Sequence, residues 1–315
     1  MFDNLLNPIV LFFIFGFLAG VLRSDLKIPQ ALYDTLSIYL LLSIGMKGGV
    51  ELSHTRLDAV WLPVLGAIFL GVTIPVIVYV ILRRIGRFSR PDSAALAAHY
   101  GSVSAVTYAV CLGYLQKIGV SFEGFSAVLL VLMEVPAIII GIMIARWRMA
   151  EEKVAWGKFL REILLGKSVI LMIGGMLIAV SAGAVRMDVM KNVFFDPFKG
   201  VLAFFLLEMG LVASSRIADL KRTGVALVLF ALAMPLISGI LGCFVGKFCG
   251  LSMGGAVILS TLAASASYIA APAAVRIAIP EANPSIYLTA SLGVTFPFNI
   301  IFGIPIYLHL ARIIY

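Results

Sequence analysis

Long apolar stretches alternate with short polar connections along the whole chain. Ten of them come close to the roughly 20 residues that a helix needs to cross a bilayer. They lie near residues 6–22, 30–46, 58–82, 93–115, 124–147, 168–185, 196–213, 223–246, 254–276 and 286–311. The pattern predicts an all-α polytopic membrane protein with ten transmembrane helices. The first stretch lacks the basic flank of a cleaved signal peptide, so we interpret it as a retained helix.

A short motif of small and hydroxyl residues occurs twice, each time inside an apolar stretch. Residues 101–104 read GSVS, and residues 264–267, which lie 163 positions later, read ASAS. Such residues at matching points of a duplicated membrane fold predict two helices that break and cross around one solute. The broken ends would present backbone N–H groups and a positive helix end to an anion. Alternatively, the small residues serve only close helix packing. The candidate substrate-binding residues are Gly101, Ser102, Ser104, Ala264, Ser265 and Ser267.

The longest polar stretch divides the ten predicted helices into two sets of five. We predict a first five-helix repeat at 1–147, a cytoplasmic linker at 148–167 and a second repeat at 168–315. The linker mixes charges with aromatic residues, a composition typical of an amphipathic segment on the membrane surface. Because five is odd, the second repeat must enter the membrane from the opposite side, which predicts an inverted repeat. Residues 134–136 (EVP) match 295–297 (TFP) in the second half.

Composition and charge support a membrane location. Apolar residues make up 62% of the chain and charged residues 13%, against roughly 45–50% and 25% in soluble domains. Alternate loops carry 16 of the 24 basic residues, so the positive-inside rule places these loops in the cytoplasm and both termini outside. The net charge of +8 is therefore explained by topology and by contact with anionic lipid. We predict a multi-pass protein of the inner (plasma) membrane with no nucleic-acid partner.

Two acidic residues lie inside predicted helices. Glu134 and Glu208 occupy positions where a charge costs roughly 2.5 kcal/mol or more, so such residues are usually paired or functional. Pro136 follows Glu134 and predicts a local helix break that frees carbonyl oxygens for a cation. For Glu208, the alternative is a structural ion pair with Lys47. We therefore predict an ion site or a gate at Glu134 and Glu208, with neutral oxygens from Thr295 and Asn299 in the second half.

The sequence lacks the motifs of metalloproteases, nucleotide-binding proteins and metal sites. No H-E-x-x-H, P-loop or nucleotide-binding glycine motif is present, and the three histidines and three cysteines lack the spacing of metal ligands. We expect neither enzymatic activity nor a cofactor.

Several stretches resemble one family, the SbtA-type sodium-dependent bicarbonate transporters. They are residues 40–49 (LLLSIGMKGG), 101–107 (GSVSAVT), 134–136, 207–210 (LEMG), 265–276 (SASYIAAPAAVR) and 295–299 (TFPFN). The resemblance implies ten helices in two inverted halves, with an elevator-type core domain that moves against a gate domain. It implies bicarbonate at the crossing of the fourth and ninth helices, with sodium beside it. Ser102, Ser104 and Thr107 would serve these sites from one half, and Ser265 and Ser267 from the other. With Na⁺ as the coupling ion that the resemblance implies, the candidate sodium-binding or coupling residues are Thr107, Glu134, Glu208, Thr295 and Asn299.

The resemblance also concerns assembly. It implies a homotrimer and, in the cyanobacterial proteins, a cytoplasmic PII-like regulator. This chain has Ala105-Val106 where the family carries Gly-Ser and Glu134 where it carries aspartate, so the anion and the ion stoichiometry stay open. The predicted function is sodium-coupled uptake of bicarbonate. The alternatives are Na⁺- or H⁺-coupled transport of another small carboxylate or oxyanion, and a non-transporting membrane sensor or scaffold.

Overall fold

Helices make up the architecture of the chain. The computed structural model describes residues 6–146, 156–217, 219 and 224–315, and these residues contain no β-strand. The main helices are α1 (Pro8–Val21), α2 (Gln30–Ser53), α3 (Leu57–Arg84), α4 (Arg90–Gly101), α5 (Ala105–Lys117), α6 (Ser126–Arg146), α7 (Trp156–Leu164), α8 (Lys167–Ala182), α9 (Phe198–Ser215), α10 (Val225–Phe248), α11 (Met253–Ala264), α12 (Ala270–Ala278) and α13 (Pro284–Ile314). Short helical turns at Ala184–Met187, Asp188–Met190 and Lys191–Phe195 lead from α8 to α9.

The helices confirm a multi-pass membrane protein. Among the described residues, seven helical segments are long and apolar enough to cross a membrane. They are Gln30–Ser53, Asp58–Arg84, Arg90–Lys117, Ser126–Arg146, Ala184–Ser215, Val225–Phe248 and Pro284–Ile314. Three of the ten predicted stretches form shorter apolar helices instead, namely α1, α8 and α11.

The helices pack in two groups. The first, called here the four-helix group, consists of α1, α2, α8 and α9, in which α1 packs on α9 and α2 packs on α8. Glycines allow the close approach: a Cβ on Gly16 would overlap the carbonyl oxygen of Leu207, and one on Gly210 would overlap that of Phe13. Because backbone atoms cannot move aside as a side chain can, both positions require glycine.

The second group, called here the crossing group, contains α3–α6 and α10–α13. Its defining feature is a pair of interrupted helices. The chain leaves helical conformation between α4 and α5 and again between α11 and α12, at the two repeated motifs. α4 and α11 have the same length, 12 residues each, and the hydroxyls of Ser89 and Ser252 cap their N-termini. These interruptions confirm the helix breaks that the small and hydroxyl residues predicted.

The structure differs from one other prediction of a helix break. Helix α6 continues through Pro136 from Ser126 to Arg146, so the helix break predicted beside Glu134 is wrong. In the second half, α13 contains π-helical segments at Thr289–Thr295 and Asn299–Gly303. Residues 148–155 of the predicted linker lie outside the described residues. The rest of the linker includes α7, which packs on α8 and α12.

Candidate functional site

The two interrupted segments contact each other. The backbone N–H of Ser104 donates a hydrogen bond to Oγ of Ser265 at 2.9 Å. The N–H of Ser267 donates to the carbonyl oxygen of His99 at 2.8 Å. Each bond joins one half of the chain to the other. The repeated motifs, distant in sequence, therefore form one crossing in the centre of the crossing group.

Serine hydroxyls hold the first turns of the helices that leave the crossing. Oγ of Ser104 accepts hydrogen bonds from the N–H of Thr107 at 3.1 Å and from its hydroxyl at 3.0 Å. Oγ of Ser267 accepts from the N–H of Ala271 at 3.1 Å. Since Ser102, Ser104, Thr107, Ser265 and Ser267 are all buried, these bonds fix the orientation of the starts of α5 and α12 without competition from water.

The starts of α5 and α12 face one small pocket. Ala105 and Val106, the first residues of α5, line it together with Ile269, which immediately precedes α12. Helix N-termini carry unpaired N–H groups and partial positive charge, which favour an anion. The pocket holds about 10 Å³, room for roughly one water molecule. Its accessible lining, which includes Ser37 of α2, is almost wholly apolar, so these N–H groups do not open into it in this conformation.

Glu134 and Glu208 lie in different groups of helices. The carbonyl oxygen of Glu134 accepts a hydrogen bond from Oγ of Ser102 at 3.2 Å, which ties α6 to the crossing. The Glu134 side chain is 4% exposed, and its Oε2 has no partner among the described residues. Glu208 lies on α9, close to Tyr33. No ion pair joins Glu208 to Lys47 among the described residues, so the predicted alternative pairing is not made.

Thr295 and Asn299 attach α13 to the broken helices. Oγ1 of Thr295 lies 2.6 Å from the hydroxyl of Tyr100 on α4 and donates to the carbonyl oxygen of Ala231 at 2.7 Å. Nδ2 of Asn299 donates to the carbonyl oxygen of Ala264, the last residue of α11, at 2.8 Å. Both side chains thus satisfy polar groups of the crossing. Their predicted role as sodium ligands stays a prediction.

Replacing Asn299 by leucine tests this attachment. Its Oδ1 accepts a hydrogen bond from the hydroxyl of Tyr307 at 2.7 Å, so the substitution leaves that hydroxyl and the Ala264 carbonyl unpaired. Each buried unpaired group costs about 1–3 kcal/mol, and we expect unfolding in detergent at clearly lower temperature. Tyr307→Phe removes one hydrogen bond but leaves Nδ2 of Asn299 in place, so its loss should be smaller. Equal losses in the two variants would contradict the proposed attachment.

A larger cavity leads to the small pocket. This cavity, called here the vestibule, has a volume of about 400 Å³ and lies between the two helix groups. It shares Ile44, Ala109 and Leu202 with the small pocket. The vestibule could not be predicted from the sequence, because its walls come from segments far apart in the chain. The two cavities are therefore neighbours with three apolar residues in common.

A comparison with protein families decides the classification. The model of the Na⁺-dependent bicarbonate transporter superfamily matches residues 8–312, nearly the whole chain. The chain belongs to this superfamily. No curated protein matches it. In this member of the Na⁺-dependent bicarbonate transporter superfamily, both interrupted segments and the vestibule lie within the matched residues, so the family assignment and the geometry concern the same part of the molecule.

Metal-ligating side chains do not cluster in the described part of this superfamily member. Within the described ranges, no group of three or more His, Cys, Asp or Glu side chains is placed to hold a metal ion. The three cysteines are buried and free. The crossing offers hydroxyls, carbonyl oxygens and N–H groups, which suit binding and release of small ions rather than tight coordination of a transition metal.

Proposed function

We propose that the protein takes up bicarbonate together with sodium, as a secondary active transporter. The observation that carries the proposal is the meeting of two helix N-termini at one buried pocket, in a chain of the Na⁺-dependent bicarbonate transporter superfamily. Positive helix ends and serine hydroxyls suit a small oxyanion. No organic cofactor is required, since the ion gradient supplies the driving force.

Sodium coupling is physically sufficient for accumulation. An anion that enters an inside-negative cell loses about 2.3 kcal/mol per 100 mV, and one accompanying Na⁺ cancels this cost. A tenfold sodium gradient then contributes about 1.4 kcal/mol per ion. The uptake therefore proceeds without ATP hydrolysis.

The proposed transporter has ten membrane-spanning helices in two inverted repeats, with both termini extracytoplasmic. The packing supports this arrangement. In the proposed symmetry, α1 corresponds to α8 and α9 corresponds to α2. The α1–α9 contact then corresponds to the α8–α2 contact, and both contacts are present. The second contact repeats the glycine pattern of the first: Gly45 lies against the Met172 carbonyl, and Gly175 lies against the Leu42 carbonyl.

The backbone at the two breaks supports the same symmetry. Ser102 has φ −81° and ψ 171°, and Ser265 has φ −80° and ψ 168°. In the proposed elevator mechanism, the crossing group is the moving core domain and the four-helix group is the gate domain. The homotrimer, the contacts with membrane lipid and a PII-like regulator stay predictions from the family resemblance and the charge pattern.

Glu134 is the carboxylate that we assign to sodium coupling, because its backbone is bonded to the crossing and its side chain is buried. Glu134→Gln keeps the size and removes the charge, so we expect the sodium concentration for half-maximal uptake to rise about tenfold or more. Glu208→Gln is the matched variant in the four-helix group and should leave the sodium dependence unchanged. If only Glu208→Gln raised the sodium concentration for half-maximal uptake, Glu208 would be the coupling residue instead of Glu134.

Ligand-dependent stability tests the proposed function directly. A ligand that binds only the folded protein raises its free energy of unfolding by about 2.7 kcal/mol at 100 times its dissociation constant. We expect Na⁺ and bicarbonate together to raise the unfolding temperature more than the sum of their separate effects, with choline chloride as the reference salt. Stabilisation by formate or nitrate, but not by bicarbonate, would indicate that another anion is the substrate. No synergy of any anion with Na⁺ would contradict symport.

A further inference from the structure

The vestibule contains charged side chains that the crossing does not use. Lys47 on α2 and Lys199 on α9 both line it, and the charged neighbours of Lys47 are Glu51, which attracts it more strongly, and Lys199, which repels it. Two carboxylates, those of Glu51 and Asp196, line the same cavity. The two lysines come from the four-helix group, so they stay together whatever the crossing group does.

None of these four side chains forms an ion pair within 4.0 Å in the described part of the chain. Elsewhere in the four-helix group, Lys167 and Asp34 pair at 2.8 Å, so unpaired charges are not a general property of these helices. Two ammonium groups that face one cavity repel each other unless an anion lies between them. The two carboxylates keep the formal charge of the lining balanced, which favours release of a bound anion over its retention.

The vestibule lining also contains neutral polar side chains near the lysines. Ser43 lies one turn before Lys47, is 1% exposed, and lines the vestibule. Its Oγ makes no hydrogen bond within 3.5 Å among the described residues. The hydroxyl of Tyr39, which donates to the carbonyl oxygen of Val193, is a weaker, longer-range partner for it. An oxyanion in the vestibule would accept a shorter and stronger hydrogen bond from Ser43.

The facing wall of the vestibule also carries hydroxyl groups. Those of Tyr108 and Ser126 line the cavity and lie 2.9 Å apart. The pair has two hydroxyl protons, and its mutual hydrogen bond uses one of them. The second proton is therefore available to an oxyanion that lies between this wall and Ser43.

We propose that Lys47 and Lys199 form an anion-capture site, at which a small monovalent oxyanion binds before it passes Ile44, Ala109 and Leu202 to the crossing. That the oxyanion is bicarbonate rests on the proposed function. The site is separate from the crossing, because none of its charged residues lines the small pocket.

A reporter cysteine tests the proposal without transport. Gln116 lines the vestibule and is exposed, whereas the native cysteines are buried. Gln116→Cys would be labelled with an anionic sulfonatoethyl thiosulfonate and with its cationic trimethylammonium analogue. Lys47→Gln and Lys199→Gln should each lower the ratio of anionic to cationic labelling rates by about threefold. Lys191→Gln, an exposed lysine outside the vestibule lining, is the matched control and should leave the ratio unchanged.

Protection by bicarbonate distinguishes binding of the anion at the two lysines from a non-specific electrostatic attraction of the anionic reagent. At constant ionic strength, bicarbonate should slow labelling by the anionic reagent in the reporter protein but not in the Lys47→Gln/Lys199→Gln double variant. Unchanged rate ratios, or equal protection with and without the lysines, would overturn the proposal. Lysine-dependent protection in a protein that takes up no bicarbonate would support the capture site and reject the proposed function, so the two failures are distinguishable.

Discussion

Replacing Gly210 by alanine is expected to destabilise the folded protein by about 3 kcal/mol or more, the upper part of the range for overpacked cores. The added Cβ would overlap the carbonyl oxygen of Phe13 and lie 2.5 Å from the backbone nitrogen of Phe17. Both atoms belong to the backbone of α1, so relief requires a shift of the whole helix. Thermal unfolding in detergent, followed by intrinsic fluorescence, measures the loss.

The matched control lies on the same helix. Gly200 of α9 has no atom within 4 Å of an added Cβ, and alanine favours a helix over glycine by about 1 kcal/mol. Gly200→Ala should therefore be neutral or slightly stabilising. If both substitutions lowered the unfolding temperature equally, the close contact of α1 with α9 would not be the cause.

The second large effect is expected at the crossing itself. Ser104→Ala and Ser267→Ala should each reduce bicarbonate uptake about tenfold or more while the protein stays folded. Removal of the Ser104 hydroxyl takes away the cap of α5, at about 1 kcal/mol, and leaves the N–H of Thr107 without its partner. The start of the helix then loses the orientation on which anion binding depends. Uptake per folded molecule in liposomes is the measurement.

Ser260→Ala provides the control for this pair. Ser260 is a buried serine of α11 whose hydroxyl donates to the Gly239 carbonyl at 2.6 Å, away from the crossing. Its loss should affect stability and leave uptake per folded molecule unchanged. Ser104→Thr, which keeps the hydroxyl, should restore uptake. Unfolding of Ser104→Ala and Ser267→Ala without a specific loss of uptake would favour the scaffold interpretation over transport.

The interruptions at 102–104 and 265–269 could be predicted from the sequence, because small and hydroxyl residues at matching points of two apolar stretches favour a break in each helix. The effect of Pro136 could not be predicted in the same way. A proline removes one N–H from a helix, but neighbouring helices can tolerate this inside a membrane, and α6 stays continuous. The π-helical segments of α13 have no signal in the sequence that distinguishes them from ordinary helix.

Pairings between distant helices were the least predictable part of the site. The polar motifs allow the two halves to be matched from the sequence, yet the glycine contacts depend on which helix lies beside which. Lys47 illustrates the difficulty: spacing suggested Glu208 as its partner, whereas the fold turns Lys47 toward the vestibule and Glu208 toward Tyr33. Asn299 was predicted as a sodium ligand, and the structure shows it bonded to the end of α11.

The central claim is tested most directly by uptake of labelled bicarbonate into liposomes that contain the purified protein, at fixed pH and membrane voltage. With an inward sodium gradient, bicarbonate should accumulate above its external concentration, and replacement of Na⁺ by choline should abolish the accumulation. Accumulation that does not depend on sodium, or no uptake by folded and correctly oriented protein, would contradict sodium-coupled bicarbonate transport.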